Sequence, residues 1–204
     1  MCSTLHSVSQ LSLFSAEARP PSPADLAGLL CGPGRIARFG AGDQARLSIE
    51  LADPARAAAV VAACAATGIT MRAGRTDSGA TALRTAFRCD LVALAAAWTA
   101  DGEKAVPRGW QLDGAALRLW ALAAGRPDER GGYLLDLDPE SPATHDPLIA
   151  AATRAGIPPA RAEQGPALRI SGARRVRRLV ELVGPVPERI TGTDWPRHWG
   201  RSAS

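Results

Sequence analysis

A mixed α+β fold built from two copies of one α-β-β-α-β-β-α unit is what this sequence predicts. Three observations carry the expectation. The chain has 204 residues, 46% hydrophobic and 22% charged, which is the balance of a folded globular chain and not of a disordered one. No apolar run approaches the roughly 20 residues that a membrane-spanning helix needs. A series of five elements also recurs in one order within residues 24–184.

The first element is an apolar helix pattern ending at Gly-Arg. Leu26-Ala27-Gly28-Leu29-Leu30-Cys31-Gly32-Pro33-Gly34-Arg35 lines up with Leu117-Arg118-Leu119-Trp120-Ala121-Leu122-Ala123-Ala124-Gly125-Arg126. Next comes a strand: Arg46–Leu51 alternates polar and apolar, and Tyr133–Asp138 stands in the same place. A helix follows. Asp53-Pro54 opens it in the first half and Gly68-Ile69 closes it. Ser141-Pro142 or Asp146-Pro147 opens its counterpart and Gly156-Ile157 closes that one. A capping side chain, proline at the first helical position and glycine past the end are the expected punctuation. Then Ala82–Thr85 and Ala167–Ile170 read as strands. Last, Leu91, Leu94, Ala95 and Trp98 match Val176, Leu179, Val180 and Val183 as the inner stripe of a closing helix.

The offset between copies shrinks from 91 residues at Leu26 and Leu117 to 85 at Ala82 and Ala167, as short loop deletions would cause. The expected organisation is a flexible Ser- and Pro-rich arm over 1–23, a first repeat over 24–99 and a linker over 100–114. A second repeat over 115–184 and a tail over 185–204 complete it.

Two such units, the first beginning Leu26-Ala27-Gly28-Leu29, resemble the LAGLIDADG homing-endonuclease fold. More narrowly they resemble the LAGLIDADG-like domain of the WhiA sporulation-regulator family. The resemblance implies two opening helices packed side by side on a pseudo-twofold axis, with two antiparallel sheets forming a saddle that straddles duplex DNA. Ala27, Gly28 and Gly32 suit a close helix approach. Trp120 in the second helix implies that its packing differs. The resemblance also implies a C-terminal helix-turn-helix in the regulators, which this sequence is expected to lack.

Nuclease activity in that family needs one metal-binding carboxylate from each helix end, just before the terminal glycine. Pro33 and Ala124 stand at those positions here, and Cys31 and Leu122 stand two residues earlier. No cleavage, no metal and no cofactor are therefore expected. Asp128 and Glu129, just past the second helix, read as a solvated turn.

What remains is binding. Alternation turns Leu47, Ile49 and Leu51 inward and Arg46, Ser48 and Glu50 outward. Arg72 points away from Met71, and Arg84 and Arg88 share a face opposite Leu83 and Phe87. Arg169 takes the equivalent place in the second copy. The candidate DNA-binding residues are therefore Arg46, Arg72, Arg84, Arg88 and Arg169, which would follow phosphates and read base edges. Asp136 and Asp138, expected on the same outward face, oppose this unless Arg169 or Arg161 pairs with them. A secondary basic patch, Arg174, Arg175, Arg177 and Arg178, lies on the outer side of the last helix.

Charge alone discriminates weakly. The net charge is +4, the pI about 9.3, and both repeats carry a similar small positive excess. Cys2, Cys31, Cys64 and Cys89 form no CxxC pair and are expected to be buried free thiols. His6, His145 and His198 are too scattered for metal ligation. No secretory leader is evident, so a reducing cytoplasm is expected. Trp195 and Trp199 beside Arg197 and His198 make the tail a candidate contact for a protein partner. Double-stranded DNA is the leading partner, with a transcriptional regulator or accessory factor as the function. A protein-interaction domain of the same fold is the alternative.

Overall fold

The structure, a computed structural model, describes residues 15–197. The first half runs α1 (Ala27–Cys31), β1 (Arg35–Phe39), β2 (Gln44–Leu51), α2 (Pro54–Ala66), β3 (Met71–Arg75), β4 (Thr81–Thr85) and α3 (Val92–Ala97). A ribbon of β5 (Thr99–Ala100) and β6 (Glu103–Lys104) follows. The second half runs α4 (Gly114–Ala124), β7 (Gly125–Pro127), β8 (Tyr133–Asp136), α5 (His145–Arg154), β9 (Ala160–Arg161), β10 (Ala167–Ile170) and α6 (Ala173–Val183). The result is a mixed α+β fold with two four-stranded antiparallel sheets of one topology. Their strand orders are β1-β2-β4-β3 and β7-β8-β10-β9.

Local sequence explains the element ends. Asp53 caps α2 by accepting from the Ala55 N–H at 2.8 Å, and Pro54 needs no partner at the first position. Gly68 and Gly156 follow α2 and α5 with φ of 82° and 84°, a left-handed turn that glycine adopts without a Cβ penalty. Of the two candidate starts for α5, Ser141-Pro142 is used. It opens a 3-10 turn over Pro142–Thr144 that runs into α5, leaving Asp146-Pro147 inside the first helical turn.

The opening helices meet at the centre. A Cβ built on Gly28 of α1 would lie 2.0 Å from the Ala116 carbonyl oxygen and 2.8 Å from the Leu119 Cβ of α4. Only glycine permits that approach. Gly32 faces Trp120, whose ring is fully buried and whose Nε1 donates to the Asp136 carbonyl at 2.9 Å. The small residue on one helix thus accommodates the large one on the other. Helices α2 and α6 flank α4, so the core lies between the helical layer and the inner sheet faces.

Several expectations need correction. The linker carries Asp101-Gly102, the turn of the β5–β6 hairpin with φ of 53° and 83°, and Trp110, which packs edge-on to Trp98 at 5.0 Å. The arm is tied down over 15–23. Ala16 donates to the Leu182 carbonyl, and Arg19 bridges Asp25 at 2.5 Å and Asp113 at 2.6 Å. Residues 1–14, with Cys2 and His6, lie outside the described residues. Over 185–197 the tail packs back: Trp195 is buried, donates Nε1 to the Gly184 carbonyl at 3.1 Å, and lies under the Arg118 guanidinium. Its ring is therefore not offered to a partner, and His198 and Trp199 lie outside the described residues. Cys31 and Cys64 are buried, but Cys89 is exposed at the start of a 3-10 turn. In α6 the buried stripe is Val176, Leu179, Leu182 and Val183, with Val180 half-buried.

Candidate nucleic-acid interface

Strand β2 supplies the clearest alternation. Ala45, Leu47, Ile49 and Leu51 are buried, Arg46 and Glu50 are exposed, and Ser48 is half-buried. The strand registers then set Arg35, Ser48, Arg84 and Arg72 side by side across all four strands of the first sheet. At about 4.8 Å per strand the row is roughly 14 Å long. Arg35, Arg72 and Arg84 are exposed. Among the described residues, Arg72, Arg84 and Arg46 have no ion pair, whereas Arg35 pairs with Glu140 of the second half, both side chains largely exposed. Arg46 instead sits 4.6 Å over the Phe87 ring, which stacks on the exposed Phe39.

Two expected members behave differently. Strand β4 ends at Thr85, so its alternation does not continue to Phe87 and Arg88. Phe87 consequently lies beneath Arg46, on the outward side, and not with Leu83. Arg88 folds onto Asp90, with guanidinium contacts of 2.8 and 2.6 Å. That pairing holds Asp90 below the usual carboxylate range.

The matching row on the second sheet reads Arg126, Leu134, Arg169 and Ala160. Arg169 thus occupies the register position of Arg84, as the repeat implies. Its surroundings do not match. Arg169 is ion-paired with Asp128, a buried carboxylate that also accepts from the Arg130 N–H at 3.1 Å. Burial raises the Asp128 carboxyl, but Arg169 and the Arg130 N–H outweigh it and hold the group below its usual range. The solvated turn expected at Asp128 is therefore half of a built ion pair. Asp136 is paired with Arg126 at 3.4 Å. Arg161 is paired with Asp146 at 2.5 Å, and not with Asp136 or Asp138.

Asp138 does not face outward at all. Its side chain is 2% exposed and holds the Lys104 ammonium at 2.7 Å. The same ammonium donates to the carbonyls of Gly32 at 2.6 Å and Gly34 at 2.9 Å, which flank Pro33 at the end of α1. Burial pushes the Lys104 ammonium down in pKa. Burial pushes Asp138 up, yet Lys104 outweighs it and keeps the carboxyl low. A groove of about 230 Å³ opens beside this centre, lined by Pro33, Arg35, Glu50, Arg84, Asp138 and Glu140 among others.

Divalent metals, as implied by the fold resemblance, do not fit these residues. Pro33 and Ala124 present no side-chain donor atom, and the buried Asp138 carboxylate, which lines the same groove as Pro33, is already neutralised by the Lys104 ammonium. Among the described residues no three His, Cys, Asp or Glu side chains stand together as a metal set.

The secondary patch lies on exposed turns of α6. Arg175 donates to the Pro158 carbonyl at 3.2 Å, and Arg177 and Arg178 approach Glu181 at 3.8 and 3.5 Å. Arg174 and Arg177 line a groove with Gly131, Gly132 and Gly172. No described helix is long and apolar enough to cross a membrane.

Sequence reasoning missed Arg35 and Lys104. Arg35 closes the Gly-Arg helix pattern in the sequence, yet Arg35-Ile36-Ala37-Arg38-Phe39 follows a Gly-Pro-Gly breaker and reads as a strand. Lys104 was signalled by Asp101-Gly102, a hairpin turn pair that places it in a strand.

No protein-family model matches the chain, and no curated protein matches it in sequence. The fold does match solved structures. One is the homing endonuclease I-WcaI bound to its DNA recognition sequence, with a TM-score of 0.56 and 14% identity over 78% of this chain and 79% of that one. The chain therefore has a homing-endonuclease-like fold.

Proposed function

We propose that this homing-endonuclease-like fold binds duplex DNA without cutting it, as a transcriptional regulator or accessory factor. The observation that carries the reading is the outward arginine row of the first sheet, where Arg72 and Arg84 face solvent with no carboxylate partner among the described residues. Arg35 and Arg72, at the two ends of the row and about 14 Å apart on a rigid sheet, match a major groove about 12 Å wide between its phosphate walls. The likeness to an endonuclease bound to DNA supports the same partner. Catalytic silence is supported by Pro33 and Ala124 at the helix ends and by the Lys104 ammonium on the carbonyls around Pro33. Loss of those carboxylates is shared with the WhiA regulators, which favours a regulatory role and a place beside the chromosome in the cytoplasm.

The second reading is a protein-interaction domain of the same fold. The pairing of Arg126 with Asp136 and of Arg169 with Asp128 favours it, because a neutral sheet face suits a protein better than a polyanion. The experiment that decides is incubation of the pure protein with supercoiled plasmid and with a random linear duplex, in magnesium or manganese. The DNA reading expects retarded duplex and intact plasmid. Unretarded duplex at low salt would refute binding. Nicking that copurifies with the protein and needs the metal would refute silence.

A further inference from the structure

We propose that the two halves of the saddle are electrostatically unequal, and that only the first sheet grips the phosphate backbone. This rests on the DNA-binding reading and names which of its surface does the work.

On the second sheet and its loops, Arg126, Arg130, Arg161 and Arg169 each have a carboxylate: Asp136, Glu163, Asp146 and Asp128. On the first sheet, Arg46, Arg72 and Arg84 have none among the described residues. Arg35 is ion-paired with Glu140 through side chains that are 55% and 69% exposed. Such an exposed pair is weak and exchanges readily for a phosphate.

Arg169 differs in kind. Its Asp128 side chain is only 11% exposed. Turning Arg169 toward a phosphate would strand a buried carboxylate that also keeps an Arg130 N–H in place. Breaking a buried pair by removing one partner costs more than a surface phosphate contact returns. Arg169 therefore stays with Asp128 when DNA arrives. The row equivalent to Arg35–Ser48–Arg84–Arg72 is left as two neutralised arginines, with Leu134 between them and Ala160 at the edge.

A duplex is consequently held from one side of the pseudo-twofold. The chain contacts half of the backbone that a symmetric saddle would contact. The second sheet fits as a steric wall and as surface for a neutral neighbour, but adds no counterion release.

The test is the salt dependence of binding to one fluorescent random duplex, read for the parent and three variants. Each neutralised phosphate contributes a log–log slope of about −0.9. Arg72→Ala with Arg84→Ala should flatten the slope by about 1.8. Arg169→Ala should leave it unchanged. Asp128→Asn, which releases Arg169 at constant shape, should steepen it by about 0.9. Thermal melts of each variant confirm that the fold persists. Flattening by Arg169→Ala equal to that of Arg84→Ala, or no steepening in Asp128→Asn, overturns the asymmetry while leaving DNA binding intact. A parent that binds without salt dependence overturns both.

Discussion

Replacing Lys104 by methionine should cost the protein about 4 kcal/mol of stability. The ammonium is 9% exposed, lies 2.7 Å from Asp138, and is shared with the carbonyls of Gly32 and Gly34. Methionine keeps the apolar stem and removes the charge. Asp138, 2% exposed, then lacks its counter-ion, and breaking a buried pair from one side costs about 3–5 kcal/mol. The two carbonyls lose a charged donor, worth about 1–3 kcal/mol for a group left buried and unpaired. These losses share one group and do not add fully. In a domain of this size each kcal/mol shifts the melting temperature by about 2–4 °C, so a drop of roughly 8–16 °C is expected. Urea unfolding at pH 7 supplies the free energy, with an unchanged m-value. Lys104→Met combined with Asp138→Leu should regain most of the loss, because an apolar pair needs no compensation. A single-variant loss below about 1 kcal/mol would mean that water reaches the ammonium, and the closed centre at the end of α1 would be refuted.

Three further outcomes follow from the packing and the titrations. Gly28→Ala puts a methyl 2.0 Å from the Ala116 carbonyl, so the central helices must separate. A loss of about 2–3 kcal/mol or more in urea unfolding is expected, and a neutral result would mean that α1 and α4 are not in contact. Asp128 and Asp138 are both held below the usual carboxylate range in the fold. Their contribution to stability is complete above the ordinary value of about 4 and is lost as pH falls through the lower folded values. Stability should therefore decline below about pH 4, and Asp128→Asn should flatten that decline. An unaltered acid limb would contradict the pairing. Among the described cysteines, only Cys89 should react with a thiol reagent in the native state. Burial pushes the Cys64 thiol up to about 12 and raises that of Cys31 as well, so both should wait for unfolding. Fast labelling of Cys31 would show that the helix interface opens.

Periodicity made the fold legible because both halves bury one face. Leu47, Ile49 and Leu51 can alternate only if the strand has a wet side and a dry side, and Asp53-Pro54 can only start a helix. Gly28 carried its own message, since a glycine inside an apolar helix pattern needs a neighbour too close for a side chain. The candidate surface was legible as far as the register: Arg84 and Arg169 do take equivalent positions. Which of them is available was not, because ion pairing is a matter of distance between elements far apart in the chain. Nothing local ties Arg169 to Asp128, 41 residues away, or Lys104 to Asp138. Arg88 failed for a different reason. Arg88 stands three residues past the end of β4 at Thr85, and strand ends are set by tertiary pairing that no period reports.

We propose a non-cleaving fold that holds duplex DNA through the arginine row of its first sheet. Its most direct measurement is the affinity of the protein for a random duplex across a salt series in magnesium, followed by gel analysis of the recovered DNA. The account predicts a linear fall of log affinity with log salt, a slope of about −3 to −4 from Arg35, Arg46, Arg72 and Arg84, and uncut DNA. Binding that ignores salt, or DNA recovered as shortened fragments, would contradict it.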